Sequence, residues 1–247
     1  MAELVSNFED GILHLLLNVP KKKNALTDIL RTELRDTLAA SQGDAKVRAI
    51  VISGAGGSFC SGGDISAMTG DPEVARKRMA ILHEAVHYLM AGTKPVVAAV
   101  NGAAFGAGFS LALCCDQVVA DDTARFSASF GRVGLPPDLA LSWNLPRRVG
   151  DATARYILLS CGIVSSQEAS EIGIVDKLVA PESLLDEAKA RAKEMASFTQ
   201  ESKGHVKSLV TAAAGSLDDL LSREMDSYIE LLNSKEHRAA REAFLAK

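Results

Sequence analysis

The chain has 247 residues, 47% hydrophobic and 23% charged, so it can bury a sizeable core as one large domain or a domain with an appendage. Its formal net charge of −4 gives no electrostatic reason to take nucleic acid or an anionic membrane as partner. No run approaches the roughly 18 apolar residues of a membrane span, the acidic N-terminus is unlike a secretory signal, and Cys60, Cys114, Cys115 and Cys161 lack CxxC or Cys/His spacing; a reduced, cytoplasmic chain is expected.

Residues 4–18 alternate as a strand, a turn at Glu9-Asp10-Gly11 and a second strand, Ile12 to Leu17. Lys21, Lys22 and Lys23 follow Pro20, as a solvated loop or a binding patch for anionic groups. Thr27 is placed to cap a helix running through Leu30, Leu34 and Leu38. Ala49 to Ser53 is a buried strand, and it empties into the glycine-rich turn Gly54 to Ile65. From Ser66 a loop leads to an amphipathic helix through Met79, Leu82, Val86 and Leu89. His83 and His87 stand i, i+4 on it, but without an adjacent Glu or a third ligand they predict helix-face residues bordering a pocket, and no metal site.

The run Pro95 to Val100 is a second buried strand. It enters NGAAFGAGFSLALCCD, residues 101–116, whose glycines at 102, 106 and 108 permit a tight turn and whose remainder reads as a buried helix. A strand, a small-residue turn and a helix start present unpaired N–H groups, which suit an oxyanion. The same small residues also serve plain close packing in α/β proteins, and the stretch is neither GxGxxG nor a P-loop. Two such strand-turn units can aim two amides at one oxygen. Gln117 to Ala120 and Ala124 to Ser127 continue the strand pattern, and from Pro181 onward the periodicity is helical, through Leu184, Ala188, Leu209, Leu221, Ile229 and Leu232.

GGSFCSGGDI at 56–65 and NGAAFGAGFSLALCCD at 101–116 resemble the two signatures of the crotonase, or enoyl-CoA hydratase/isomerase, superfamily. Lys23-Asn24-Ala25-Leu26 and the segment from Phe126 to Gly150 stand in the expected order, so the likeness covers nearly the whole chain. The resemblance implies an α/β spiral of ββα units over residues 1–195 with a helical oligomerisation region over 196–247, packing homotrimers or dimers of trimers. It implies an acyl-CoA thioester substrate, with CoA part of the substrate and no separate cofactor. Laid on the motifs, the oxyanion donors are the amides of Gly63 and Ala107, Lys22, Lys23 and Ala25 lie beside the CoA, and Ser61, Gly62, Asp64, Ile65 and Gly106 surround the thioester.

The hydratases of this family carry two glutamates, and the matching positions here hold Ser110 and Phe130, which become expected pocket residues. Neither serves as a general base near neutral pH. The segment GLPPD…LPRRVG, residues 134–150, is similar to the enoyl-CoA isomerase branch, and above all to the ring-epoxide isomerases of phenylacetate breakdown. That likeness makes Asp138 the proton shuttle, with double-bond isomerisation as the expected reaction. Alternatives are a hydratase, or a non-catalytic acyl-CoA-binding member. A nucleophilic aspartate of the dehalogenase type is a further one. After Pro136-Pro137, Asp138 also suits a turn or helix cap.

Overall fold

The computed structural model describes residues 2–197, 203–204, 206–207, 210–211, 216–233 and 235–246. Strands β1 (Leu4–Glu9) and β2 (Ile12–Leu17) form an antiparallel hairpin. Asp10 and Gly11 both have positive φ, 50° and 82°, as a two-residue hairpin turn of matching twist requires. Helix α1 (Asp28–Gly43) begins where the Thr27 hydroxyl accepts the Leu30 amide at 3.0 Å.

Strand β3 (Ala49–Gly54), helix α2 (Pro72–Ala91), strands β4 (Val96–Val100) and β5 (Ala103–Phe105) and helix α3 (Ala107–Leu113) follow. Then come β6 (Gln117–Asp121), β7 (Arg125–Ser127), α4 (Leu141–Val149), α5 (Asp151–Ser160), β8 (Val164–Ser165), α6 (Ser166–Glu171), β9 (Lys177–Val179) and α7 (Leu184–Met195). Helices α8 (Leu217–Leu232) and α9 (Lys235–Leu245) complete the described chain, and Leu209 lies outside the described residues.

The large sheet has the order β1-β2-β3-β4-β6-β9, parallel from β2 onward. Both faces of its centre are covered, which is why these strands read as unbroken apolar runs. One face, with Leu15, Ile50, Ile52, Ala98 and Val118, packs into the main core with α1, α2 and α3. The other, with Ile12, Val51, Val97 and Val119, receives Leu184, Ala188 and Ala192 of α7. Period-two alternation assigns each residue its face.

A small sheet of β5, β7 and β8 forms the second layer. Each turn of the spiral thus lays a strand in the large sheet, a short one in the small sheet, and then a helix, as β4, β5 and α3 do. Near β3 the small-sheet strand shrinks to one bridge between Cys60 and Ala104. Helices α8 and α9 fold back on this same chain: Leu221, Ile229 and Leu232 enter the main core, and His237 Nδ1 lies 2.5 Å from the Val133 carbonyl.

His83 is buried in α2, and among the described residues its Nε2 has no hydrogen-bond partner. Burial, with a smaller contribution from His87, pushes its pKa down from 6.5 to about 4. The unfolded chain therefore binds this proton first as pH falls, so stability present above about 6.5 is lost on the way to 4. The loss is on the order of 3 kcal/mol. Urea unfolding between pH 7 and 4 is expected to show that steeper loss in wild type than in His83→Leu; parallel pH profiles would remove His83 as its source.

Candidate active site

Two glycine-rich turns are joined edge to edge by backbone hydrogen bonds. The Phe59 amide donates to Asn101 O at 2.7 Å, the Cys60 amide to Ala103 O at 2.9 Å, and the Phe105 amide to Cys60 O at 2.9 Å. Glycine is needed where the chains touch. A Cβ at Gly108 would lie 2.1 Å from Cys60 O. At Gly62, φ is +104° and a Cβ would stand 2.9 Å from Phe105 O and 3.4 Å from the Ala107 nitrogen.

This junction leaves two amides undonated. The Leu26 amide binds the Gly62 carbonyl at 2.8 Å, while Gly63 N–H donates to nothing among the described residues. Ala107 opens α3, so its N–H has no acceptor within the helix, and among the described residues it has none elsewhere. Gly63 and Ala107 line the same cavity, of about 540 Å³.

The first turn is held from behind by Asn24, which is fully buried. Its Nδ2 donates to Ala55 O at 2.8 Å and Ser58 O at 2.7 Å, and its Oδ1 accepts the Val19 amide at 2.9 Å. Lys23 and Asn24 have φ of 49° and 55°, and the Ser61 amide and hydroxyl bind Lys23 O and Lys22 O at 2.9 and 3.0 Å. Asn24 was legible only as part of a motif. Its tolerance of left-handed backbone is the local signal for the turn.

Lys22, Lys23, Ala25, Ser61, Gly62, Asp64, Ile65, Gly106, Phe130 and Asp138 all line the cavity. Lys22 Nζ pairs with Asp64 Oδ2 at 2.5 Å, which raises the lysine pKa. Burial alone would raise that of Asp64, but hydrogen bonds from Lys22 and Ser66 hold it below the usual carboxylate range. Ser110 is not a lining residue: it is fully buried, with its hydroxyl turned back onto Gly106 O at 3.3 Å. Neither His83 nor His87 borders the cavity, and His87 pairs with Asp218 at 3.0 Å. Arg132 also lines the cavity, with Nη2 on Cys161 O at 2.8 Å. Arg31, Arg78 and Tyr228 are lining residues that the sequence reading missed.

Asp138 is 7% exposed. Helix α4 starts at Leu141 with Ala140 as its N-cap and no side-chain cap. Leu139 and Ala140 both have positive φ, 46° and 59°, a conformation costing on the order of 1 kcal/mol or more per residue. The surrounding core therefore imposes the path that turns Asp138 toward the cavity. Its charge reaches its neighbours: burial, reinforced by Asp138, pushes the Tyr228 phenol and the Cys60 thiol up to about 12.

An α/β fold that gathers two undonated amides and a buried carboxylate around one cavity has the parts of an enzyme that stabilises charge on an oxygen. Known proteins narrow the class. The family described as Enoyl-CoA hydratase/isomerase matches residues 7–247. The 1,2-epoxyphenylacetyl-CoA isomerase of Escherichia coli (strain K12) is 33% identical, matching 100% of this chain and 97% of that protein. The crotonyl-CoA hydratase of Syntrophomonas wolfei is also 33% identical, over 97% of this chain and 93% of that protein. An enoyl-CoA hydratase structure from Mycobacterium avium subsp. paratuberculosis K-10 superposes with a TM-score of 0.89 at 29% identity, covering 99% of this chain and 96% of that one. The chain belongs to the enoyl-CoA hydratase/isomerase family and has its crotonase fold.

Asn24→Ala strips one buried amide and two carbonyl groups of their partner, a loss on the order of 3 kcal/mol. The urea midpoint is expected to fall accordingly; a change below about 1 kcal/mol would mean that the first turn is held by other contacts.

Proposed function

We propose that this protein shifts the double bond of an enoyl-CoA, with Asp138 moving the proton. The observation that carries the reading is the buried carboxylate of Asp138 on the cavity that the Gly63 and Ala107 amides also line; the other buried carboxylate there, Asp64, is paired with Lys22. Ser110 and Phe130 stand where a two-glutamate hydratase needs carboxylates.

In this reading the thioester oxygen lies between the two amides. Asp138 takes a proton from the carbon beside the carbonyl of a 3-enoyl thioester. The electron pair passes into the carbonyl, and the negative oxygen is held by both N–H groups, each worth on the order of 10²–10³ in rate. The dienolate then collapses, and Asp138 returns its proton two carbons further along, giving the 2-enoyl thioester. One carboxylate serves both steps because it regains its charge.

Ser61, Gly62, Asp64, Ile65 and Gly106 shape the thioester seat, and Phe130 with Met79 and Leu82 supplies the apolar wall. Lys23 and Ala25 face the CoA; Lys22 joins them by exchanging or sharing its Asp64 partner with a phosphate. CoA enters as part of the substrate, and the chemistry calls for no separate cofactor. The reading includes homotrimers, singly or paired; the outward Tyr156 and Leu159 of α5, 74% and 84% exposed, are apolar surface suited to a neighbouring copy.

Proton NMR in deuterated water, with a 3-enoyl-CoA and a 2-enoyl-CoA supplied separately, tests the reaction. Isomerisation without hydrated product, falling on the order of 10²–10⁴-fold in Asp138→Asn, is expected. The likeness to a crotonyl-CoA hydratase favours a second reading. Rapid formation of 3-hydroxyacyl-CoA that survives the substitution would establish it, and thioester binding without exchange at the alpha carbon would mean a non-catalytic protein.

Gly62→Ala tests the oxyanion seat independently. Its Cβ would push against Phe105 O, and kcat is expected to drop on the order of 10²–10³-fold with thioester affinity less affected. Unchanged turnover would mean that the amide positions do not govern the rate.

A further inference from the structure

The cavity is lined by two donors that an apolar acyl chain leaves idle. Arg31 of α1 is 7% exposed, and its Nε and Nη2 donate to Thr27 O and Leu26 O at 3.0 and 2.7 Å. Its Nη1 donates to nothing among the described residues. Tyr228, which α8 brings to the same cavity, likewise makes no hydrogen bond through its hydroxyl among the described residues. Met79, Leu82 and Leu135, which line the same cavity, are apolar. A hydrocarbon tail here would desolvate both donors and satisfy neither, which is unfavourable in a low-dielectric site.

The charges nearby say what kind of acceptor fits. Asp28 pairs with both arginines, at 2.6 Å to Arg78 Nη2 and 3.5 Å to Arg31 Nε. Asp138 is the second anion that acts on Arg31. The charged side chains that act on Arg31 are thus Asp28, Asp138 and Arg78, so that with Arg31 itself two cations face two anions. A carboxylate on the ligand would stand unbalanced near Asp138, whereas a carbonyl, hydroxyl or ether oxygen accepts hydrogen bonds without adding charge.

We propose that Arg31 and Tyr228 select an acyl group carrying an uncharged oxygen, held by hydrogen bonds from Arg31 Nη1 and the Tyr228 hydroxyl. The inference rests on the reading that the cavity takes the acyl part of a CoA thioester, and it adds two specificity-determining residues. A site built to donate to a ligand oxygen discriminates strongly against the analogue that lacks it, because its own donors are then left unpaired.

Binding of saturated, unreactive thioesters tests this without relying on turnover. Isothermal titration would compare hexanoyl-CoA, its 4-oxo and 5-oxo analogues and adipoyl-CoA against wild type and Tyr228→Phe. At least one oxo analogue is expected to bind at least about tenfold tighter than hexanoyl-CoA, and that ratio is expected to fall severalfold in Tyr228→Phe. Equal affinity for the oxo and alkyl compounds overturns the proposal while leaving the acyl-CoA reading intact. An oxo preference that survives Tyr228→Phe unchanged overturns the assignment to Tyr228, and tighter adipoyl-CoA binding overturns the uncharged acceptor. Failure of every thioester to bind overturns the acyl-CoA reading itself.

Discussion

The site depends on a backbone junction between two turns that are far apart in sequence. Cys60 exchanges hydrogen bonds with Ala103 and Phe105, and through that exchange Gly62 comes to rest against the start of α3. Main-chain groups make the contact, so its geometry is insensitive to side-chain rotamers. What it demands is the absence of side chains at the points of closest approach. The 2.1 Å that would separate a Cβ at Gly108 from the Cys60 carbonyl oxygen measures that demand. The parallel strands β3 and β4 deliver both turns to the same end of the sheet, which makes the junction possible.

Around this rigid seat the protein gathers groups held by weaker and longer-range constraints. Asn24 fixes the first turn through three buried hydrogen bonds, and the Lys22–Asp64 pair spans the same loop at the cavity. Asp138 arrives by a different route, on a segment whose next two residues are held at positive φ. Such strain persists only when the surrounding packing is strong enough to impose it, and it is commonly found where a side chain must be aimed. Here the aim is inward, to a cavity lined also by apolar residues and by Arg31, Arg78 and Arg132.

The cavity wall is mixed in a way that a pure hydrocarbon pocket is not. Arg31 reaches it from the first turn of α1 and Tyr228 from α8, near the far end of the chain. Burying a guanidinium and a phenol has a desolvation penalty that internal hydrogen bonds only partly offset.

The sequence by itself determined the elements whose stability is local. The apolar runs at 49–53 and 96–100, the Thr27 cap and the two glycine-rich turns were legible, because strand burial, capping and tight turns leave marks within a few residues, whereas Gly63 and Ala107 were singled out within those turns only by the resemblance to the family signatures. Tertiary structure alone decided the rest. Three-residue β5 has too little length to show a period and forms only because β7 and Cys60 supply its partners. Ser110, placed in the pocket by the family resemblance, turns its hydroxyl onto its own helix, as a serine inside a helix can. Arg31 and Tyr228 come to one cavity from nearly opposite ends of the chain, and no pattern in either neighbourhood announces it. Local propensity and burial are written in neighbouring residues, whereas the approach of distant side chains is set by how the layers pack.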